Sequence, residues 1–252
     1  MSGKDKAELY YQEQGEGMPL VLLHGNGENS GYFEHQLSYF SKKYRVIALD
    51  TRGHGRSLRG KAPFTLEQFA EDLKEFLDAK GLNRINLLGF SDGGNIALLF
   101  ALKYPQYVNR LILNGANLRP SGVKAYVQLP IVIGYGIASA CAGMARSAKG
   151  ALAHKEMLGL MVTQPKIQPQ ELRRLSCPAL VIVGTRDMIR DSHSELIAKS
   201  LPNARLVRIE GDHFIAAKKS KEFNRAVEEF LSDSEEKAGG VERIRESGRR
   251  NG

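Results

Sequence analysis

The stretch Gly89-Phe90-Ser91-Asp92-Gly93-Gly94 sets a serine between glycines two residues away on either side. It follows the apolar run 85–88 and precedes the helical spacing of 95–104. A GxSxG segment between strand and helix puts the serine on a strained turn that lifts its hydroxyl above the sheet edge. The glycines are needed because so tight a turn has no room for Cβ atoms beside it. The helix N-terminus beneath Ser91 favours negative charge developing nearby. The chemistry implied is nucleophilic attack.

A serine hydroxyl needs a base to take its proton. Six histidines are present: His24, His35, His54, His154, His193 and His213. His213, in Glu210-Gly211-Asp212-His213-Phe214, directly follows the β-branched run 206–209, so a loop at that strand end brings its imidazole over the serine. His35, His154 and His193 read as surface residues, and His24 as a structural loop histidine. The orienting acid should follow another strand end. Val183-Gly184-Thr185-Arg186-Asp187 supplies Asp187, with Asp191 and Asp212 as weaker rivals. The order Ser91, Asp187, His213 is one in which such triads occur. Leu23-His24-Gly25-Asn26-Gly27 follows the apolar run 20–23 and exposes backbone. The N–H groups of Asn26 and Asp92 are the candidate oxyanion donors. Gly25, Gly27 and Gly31 are spaced GxGxxxG, one residue off a dinucleotide fingerprint.

The elements that must hold these groups are legible too. Apolar, β-branched runs occupy 20–23, 45–49, 85–90, 111–113, 179–183 and 206–209, each bounded by turn residues. Helical stripes lie within 65–80, 92–104 and around Phe223, Val227, Phe230 and Leu231. Alternating strand and helix predicts an α/β fold with a mostly parallel central sheet flanked by helices. Residues 118–175 contain no convincing strand and read as a helical excursion packed on the main domain. Within it, 127–145 is apolar but interrupted by Pro130, Gly134 and Gly136. The alternative for this insertion is a membrane-surface patch. Residues 232–252 carry five charges of each sign and no aromatic residue, and read as a mobile tail.

The 252 residues, 42% of them hydrophobic, suffice for a large buried core and exclude wholesale disorder. Two cysteines, Cys141 and Cys177, in no CxxC pair, argue against a disulfide scaffold or a cysteine-held zinc. No uninterrupted apolar stretch reaches about 18 residues, so no transmembrane segment is expected. The N-terminus has no apolar core of a secretory signal. The expected setting is cytoplasmic. The net charge of +8 is regional: residues 117–174 hold eight basic residues and two acids. The basic insertion suits an anionic substrate, or merely solvates a surface. Tyr126 and Tyr135 are the only aromatics in 118–175, too few for nucleic-acid stacking.

With these motifs assembled, the sequence resembles the α/β-hydrolase fold family over most of residues 8–231. The matching segments are Pro19 to Gly25, Asp50-Thr-Arg-Gly-His-Gly-Arg-Ser57, the Ser91 elbow, the Gly184–Asp187 turn and Asp212-His213-Phe214. Gly89 to Gly94 with Leu113-Asn114-Gly115-Ala116-Asn117 is most similar to the biphenyl-hydrolase-like, valacyclovir-hydrolase branch. The resemblance implies a core of 1–117 and 176–231, with 118–175 as a short helical cap inserted after the sixth strand. It gives His54 a structural role only. Members that displace halide or open epoxides carry aspartate at the elbow, and this chain carries serine. The implied activity is hydrolysis of a carboxylic ester, thioester or lactone through an acyl-enzyme, without metal or organic cofactor. The same residues would serve a carbon–carbon bond hydrolase, a perhydrolase or a lyase, and a non-catalytic ligand-binding protein is the alternative of another class. The expected partner is a small-molecule ester, with no nucleic acid, in a monomer or weak homo-oligomer.

Overall fold

The computed structural model describes residues 8–144 and 149–232. A seven-stranded sheet runs in the order β1-β3-β2-β4-β5-β6-β7. Its strands are β1 (Tyr11–Gln14), β2 (Pro19–Leu23), β3 (Arg45–Leu49), β4 (Ile85–Phe90), β5 (Val108–Asn114), β6 (Ala179–Gly184) and β7 (Ala204–Ile209). All pairings are parallel except that of β1 with β3. Every residue of β4 and β6 is buried. Strands covered on both faces read as continuous apolar runs, because water dictates no alternation on either side.

Helices α2 (Leu66–Ala79), α3 (Asp92–Lys103) and α6 (Asp191–Ser200) cover one face, where Phe69, Leu73, Ile96, Phe100 and Ile197 meet Val21, Leu87 and Val181. On the other, α1 (Glu34–Phe40) and α8 (Ser220–Ser232) bring Phe40, Phe223, Val227 and Phe230 onto Leu20, Leu22 and Ile182. Helix α2 starts at Leu66 because the Thr65 side chain accepts the Gln68 N–H at 3.1 Å.

The structure departs from the sequence expectation at several elements. β1 is a polar edge strand, Tyr-Gln-Glu-Gln, with no apolar run to mark it. β5 extends back to Val108 through Arg110, a buried arginine whose Nη1 donates to the Phe230 carbonyl at 3.0 Å. A charged residue hid that half of the strand until its partner was known.

The insertion follows β5, the fifth of the seven strands in this sheet. It holds two helices, α4 (Ala125–Met144) and α5 (Lys149–Thr163), packed chiefly on each other. The Ile167 N–H donates to the Leu118 carbonyl at 2.9 Å, pinning the two ends of the excursion together. Pro130, Gly134 and Gly136 do not break α4, which runs through all three. Pro130 forfeits one backbone hydrogen bond. Gly134 lies against α5, where an added Cβ would stand 3.4 Å from Leu158 Cδ1. The expectation that the excursion lies packed on the main domain fails for α4, whose outer face is exposed. Residues Ala125–Ala142 have a mean hydropathy of 1.5, long and apolar enough by length and composition to cross a membrane. Gln128 and Ser139 interrupt the apolar run without adding charge. The tail expected to be mobile falls, beyond Ser232, outside the described residues.

Candidate active site

Ser91 occupies one residue between the end of β4 and the start of α3, with φ 54° and ψ −120°. Among the described residues it is the one non-glycine with positive φ. Such a conformation costs about 1–3 kcal/mol and persists only where its surroundings enforce it. They do so by steric exclusion. A Cβ on Gly89 would fall 2.2 Å from the Gly93 carbonyl oxygen, and one on Gly93 would fall 2.1 Å from that of Leu23. The Ser91 N–H donates to the Asn114 carbonyl at 2.8 Å, while Gly94 and Asn95 N–H groups return to the Ser91 carbonyl. A buried side-chain network braces the turn. Asn95 Nδ2 donates to Asp92 Oδ1 and to Asn117 Oδ1, both at 3.0 Å, and Asn95 Oδ1 accepts the Asn117 N–H at 2.8 Å. Asn95 carries no spacing signal, and Asn117 enters the sequence reading only as the end of the Leu113–Asn117 motif, with no role assigned.

Asp187 and His213 lie beyond the ends of β6 and β7, and the structure brings them together. His213 Nδ1 is 2.6 Å from Asp187 Oδ1, and both residues are buried. Asp187 Oδ1 also accepts the Ile189 N–H at 2.9 Å, which fixes the carboxylate. With Nδ1–H donating to the carboxylate, Nε2 carries the lone pair, and it is buried with no hydrogen-bond partner. The space for the ring depends on Gly115 (φ 62°), where a Cβ would meet His213 Cε1 at 2.6 Å. The rival acids are engaged elsewhere. Asp191 pairs with Arg208 at 2.9 Å, and Asp212 pairs with Lys218 and accepts the Phe214 N–H.

The loop after β2 passes over the elbow. A Cβ on Gly25 would stand 3.1 Å from both the Ser91 Cβ and the Phe90 ring. Asn26 Nδ2 reaches the Met157 carbonyl on α5 at 2.7 Å, tying this loop to the insertion. Among the described residues, the backbone N–H groups of Asn26 and Asp92 donate to no protein acceptor.

Three further histidines are structural. His24 Nε2 accepts the Thr51 N–H at 3.0 Å, and its Nδ1 faces the Gly25 carbonyl at 2.7 Å. Burial, then neighbouring His54, push its pKa down to about 4. His54 packs on Phe64 and Phe69. His193, expected on the surface, is buried instead. Its Nε2 accepts the Leu118 N–H at 2.9 Å at the neck of the insertion, and burial, then Arg119 and Arg190, lower its pKa to about 4. A helix placed from spacing alone could not reveal that face. His35 and His154 are exposed, as expected.

These groups make stability depend on pH with opposing signs. His24 binds its proton less tightly in the fold, so its contribution is complete above pH 6.5 and is lost as pH falls toward 4. That loss is roughly 3 kcal/mol. Burial pushes the Asp92 carboxyl up to about 6, against the pull of Asn95, His213 and Asn26. Asp92 therefore destabilises the fold above pH 6 by roughly 3 kcal/mol, a penalty relieved as it protonates. Urea unfolding at pH 7.5 and 4.5 should show a steeper acid loss in Asp92→Asn than in wild type, and a shallower one in His24→Gln. Parallel profiles for all three proteins would contradict the assignment of these shifts.

A strand-to-helix turn bearing a strained serine, below a loop with open amide donors and beside a carboxylate-bound imidazole, defines the α/β-hydrolase class of fold. A family profile described as alpha/beta hydrolase fold matches residues 18–135. The human serine hydrolase BPHL is 30% identical over 248 residues, covering 89% of this chain and 83% of that protein. Among solved structures, a hydrolase from Pseudomonas aeruginosa PA01 superposes with a TM-score of 0.73 at 27% identity, covering 92% of this chain and 97% of that one. An esterase from Thermogutta terrifontis gives 0.71 at 25% identity, covering 90% and 94%. The chain belongs to the α/β-hydrolase family, in keeping with the branch its motifs resemble, and it is a hydrolase.

Proposed function

We propose that this hydrolase cleaves a carboxylic ester, or a thioester or lactone, of a small to medium substrate through an acyl-enzyme on Ser91. The observation that carries the reading is the lone pair of His213 Nε2, buried and unpartnered while Nδ1 is held 2.6 Å from Asp187. In the first half-reaction His213 takes the Ser91 proton as Oγ attacks the carbonyl carbon. The tetrahedral oxyanion is held by the N–H groups of Asn26 and Asp92, and His213 then protonates the departing alcohol. In the second, His213 deprotonates a water that attacks the acyl-enzyme, and Ser91 leaves with the proton. Asp187 holds the ring in the tautomer with Nε2 free and stabilises the imidazolium.

Residues 118–175 serve as the cap in this reading. Two contacts support a closed position over the site: Asn26 to Met157, and the Arg59–Glu156 ion pair with an N···O distance of 2.6 Å. The free thiols of Cys141 and Cys177 fit a reducing, cytoplasmic setting. Whether the cap's basic residues attract an anionic substrate is read from kcat/KM for an anionic ester and its neutral isostere at low and high salt. A salt-sensitive preference for the anion supports it, and equal values remove it.

A fluorophosphonate probe followed by peptide mass spectrometry should label Ser91. p-Nitrophenyl esters of increasing chain length, run beside a lactone, should be turned over with the efficiency peak marking the acyl pocket. Labelling elsewhere, or no turnover of any ester or lactone, would remove the ester-hydrolase reading.

A further inference from the structure

We propose that helix α4 docks the protein on an anionic membrane surface, its outer face seated among the lipid headgroups and upper acyl chains. Tyr126 (70% exposed), Leu129 (62%), Val132 (42%), Ile133 (55%) and Ile137 (62%) present apolar side chains to solvent, and Leu152 on α5 is exposed too. Tyr126, Leu129, Ile133 and Ile137 recur every three or four residues, so they share one side of the helix. Only Tyr39 and Leu58 are comparably exposed among the other large apolar side chains described. No residue of Ala125–Met144 is charged, and only 6% of Ala125–Ala142 is buried. A monomer in water gains nothing from such a face, whereas an apolar helix lying in the interfacial plane is stabilised by burying it.

Charge selects the occupant. From residue 117 to residue 155 the sequence contains Arg119, Lys124, Arg146, Lys149 and Lys155 and no aspartate or glutamate. A second copy placed on this face would bring two basic caps together. An anionic headgroup layer complements them, each basic residue near the surface adding to the attraction. Lys124 is committed to the Asp187 carbonyl at 2.5 Å, whereas no ion pair holds the described side chains of Arg119 and Lys155. Docking, not spanning, follows from how α4 is held: Gln128 Nε2 donates to the Met161 carbonyl at 3.0 Å and Gly134 sits against Leu158. A crossing helix would have to abandon α5.

The chain contains no tryptophan, so Ile133→Trp gives a single reporter. Mixed with phosphatidylcholine vesicles containing about 30% phosphatidylglycerol, its emission should shift to the blue and be quenched by brominated acyl chains. Full-length protein should cosediment with these vesicles, at least about tenfold more weakly in high salt or with phosphatidylcholine alone. Leu129→Glu/Ile133→Glu should abolish cosedimentation while leaving hydrolysis of a water-soluble ester unchanged. Failure of wild type to bind anionic vesicles, or unchanged binding by the double variant, overturns the proposal. A dimer in sedimentation equilibrium that the double variant dissociates, without vesicle binding, assigns the face to a second copy instead.

Discussion

Ser91→Ala is expected to lower kcat for p-nitrophenyl acetate about a million-fold, to the level left by binding and oxyanion donation alone. In the proposed mechanism Ser91 Oγ is the nucleophile, and alanine retains the shape of the turn while removing the atom that would attack. His213 would keep its bond to Asp187, so the loss would not come from a displaced base. Alanine inherits the φ of 54° and should melt close to wild type. Ser91→Gly is equally inactive but relieves the strain, and should be more stable by about 1–3 kcal/mol. Measuring kcat and thermal melting for the pair separates chemistry from folding. Activity in Ser91→Ala above a tenth of wild type would reject the assignment.

Asp187→Asn is expected to cost about 10⁴-fold in kcat with little change in the fold. Oδ1 of the carboxylate accepts from both the Ile189 N–H and His213 Nδ1, and Oδ2 accepts the Gly184 N–H at 3.4 Å. An amide carries no charge to stabilise the imidazolium, and where its NH₂ takes the Oδ1 position it faces the ring. Nδ1 must then accept, Nε2 carries the hydrogen, and the base has no lone pair facing the serine. Asp191→Asn supplies the control, since that carboxylate pairs with exposed Arg208 and should leave kcat within about twofold. A loss below tenfold in Asp187→Asn would show that the imidazole is oriented by something else.

How much of this was legible in sequence follows from what each feature depends on. The elbow was readable because its causes are neighbours in the chain: Gly89 and Gly93 are required by contacts of 2.2 and 2.1 Å that any side chain would violate. The buried strands were readable because burial on two faces imposes continuous apolar runs. β1 was not, since an edge strand of four polar residues carries no such run. Half of β5 was hidden by Arg110, whose guanidinium donates to the Phe230 carbonyl 120 residues away and lies over the Phe230 ring.

By itself the sequence determined the alternating α/β architecture, the serine on its turn and three strand-end loops that carry the remaining groups. Periodicity and backbone sterics act over a few residues, so they can be read without coordinates. Only the tertiary structure decided that Asp187, and not Asp191 or Asp212, receives His213, that His193 is a buried strut at the neck of the insertion, and that α4 turns an uncharged face outward. Each of those depends on which distant surfaces pack together and which competing partners are already engaged. No local pattern encodes that choice, because the free energy deciding it is spread over contacts between segments far apart in the chain.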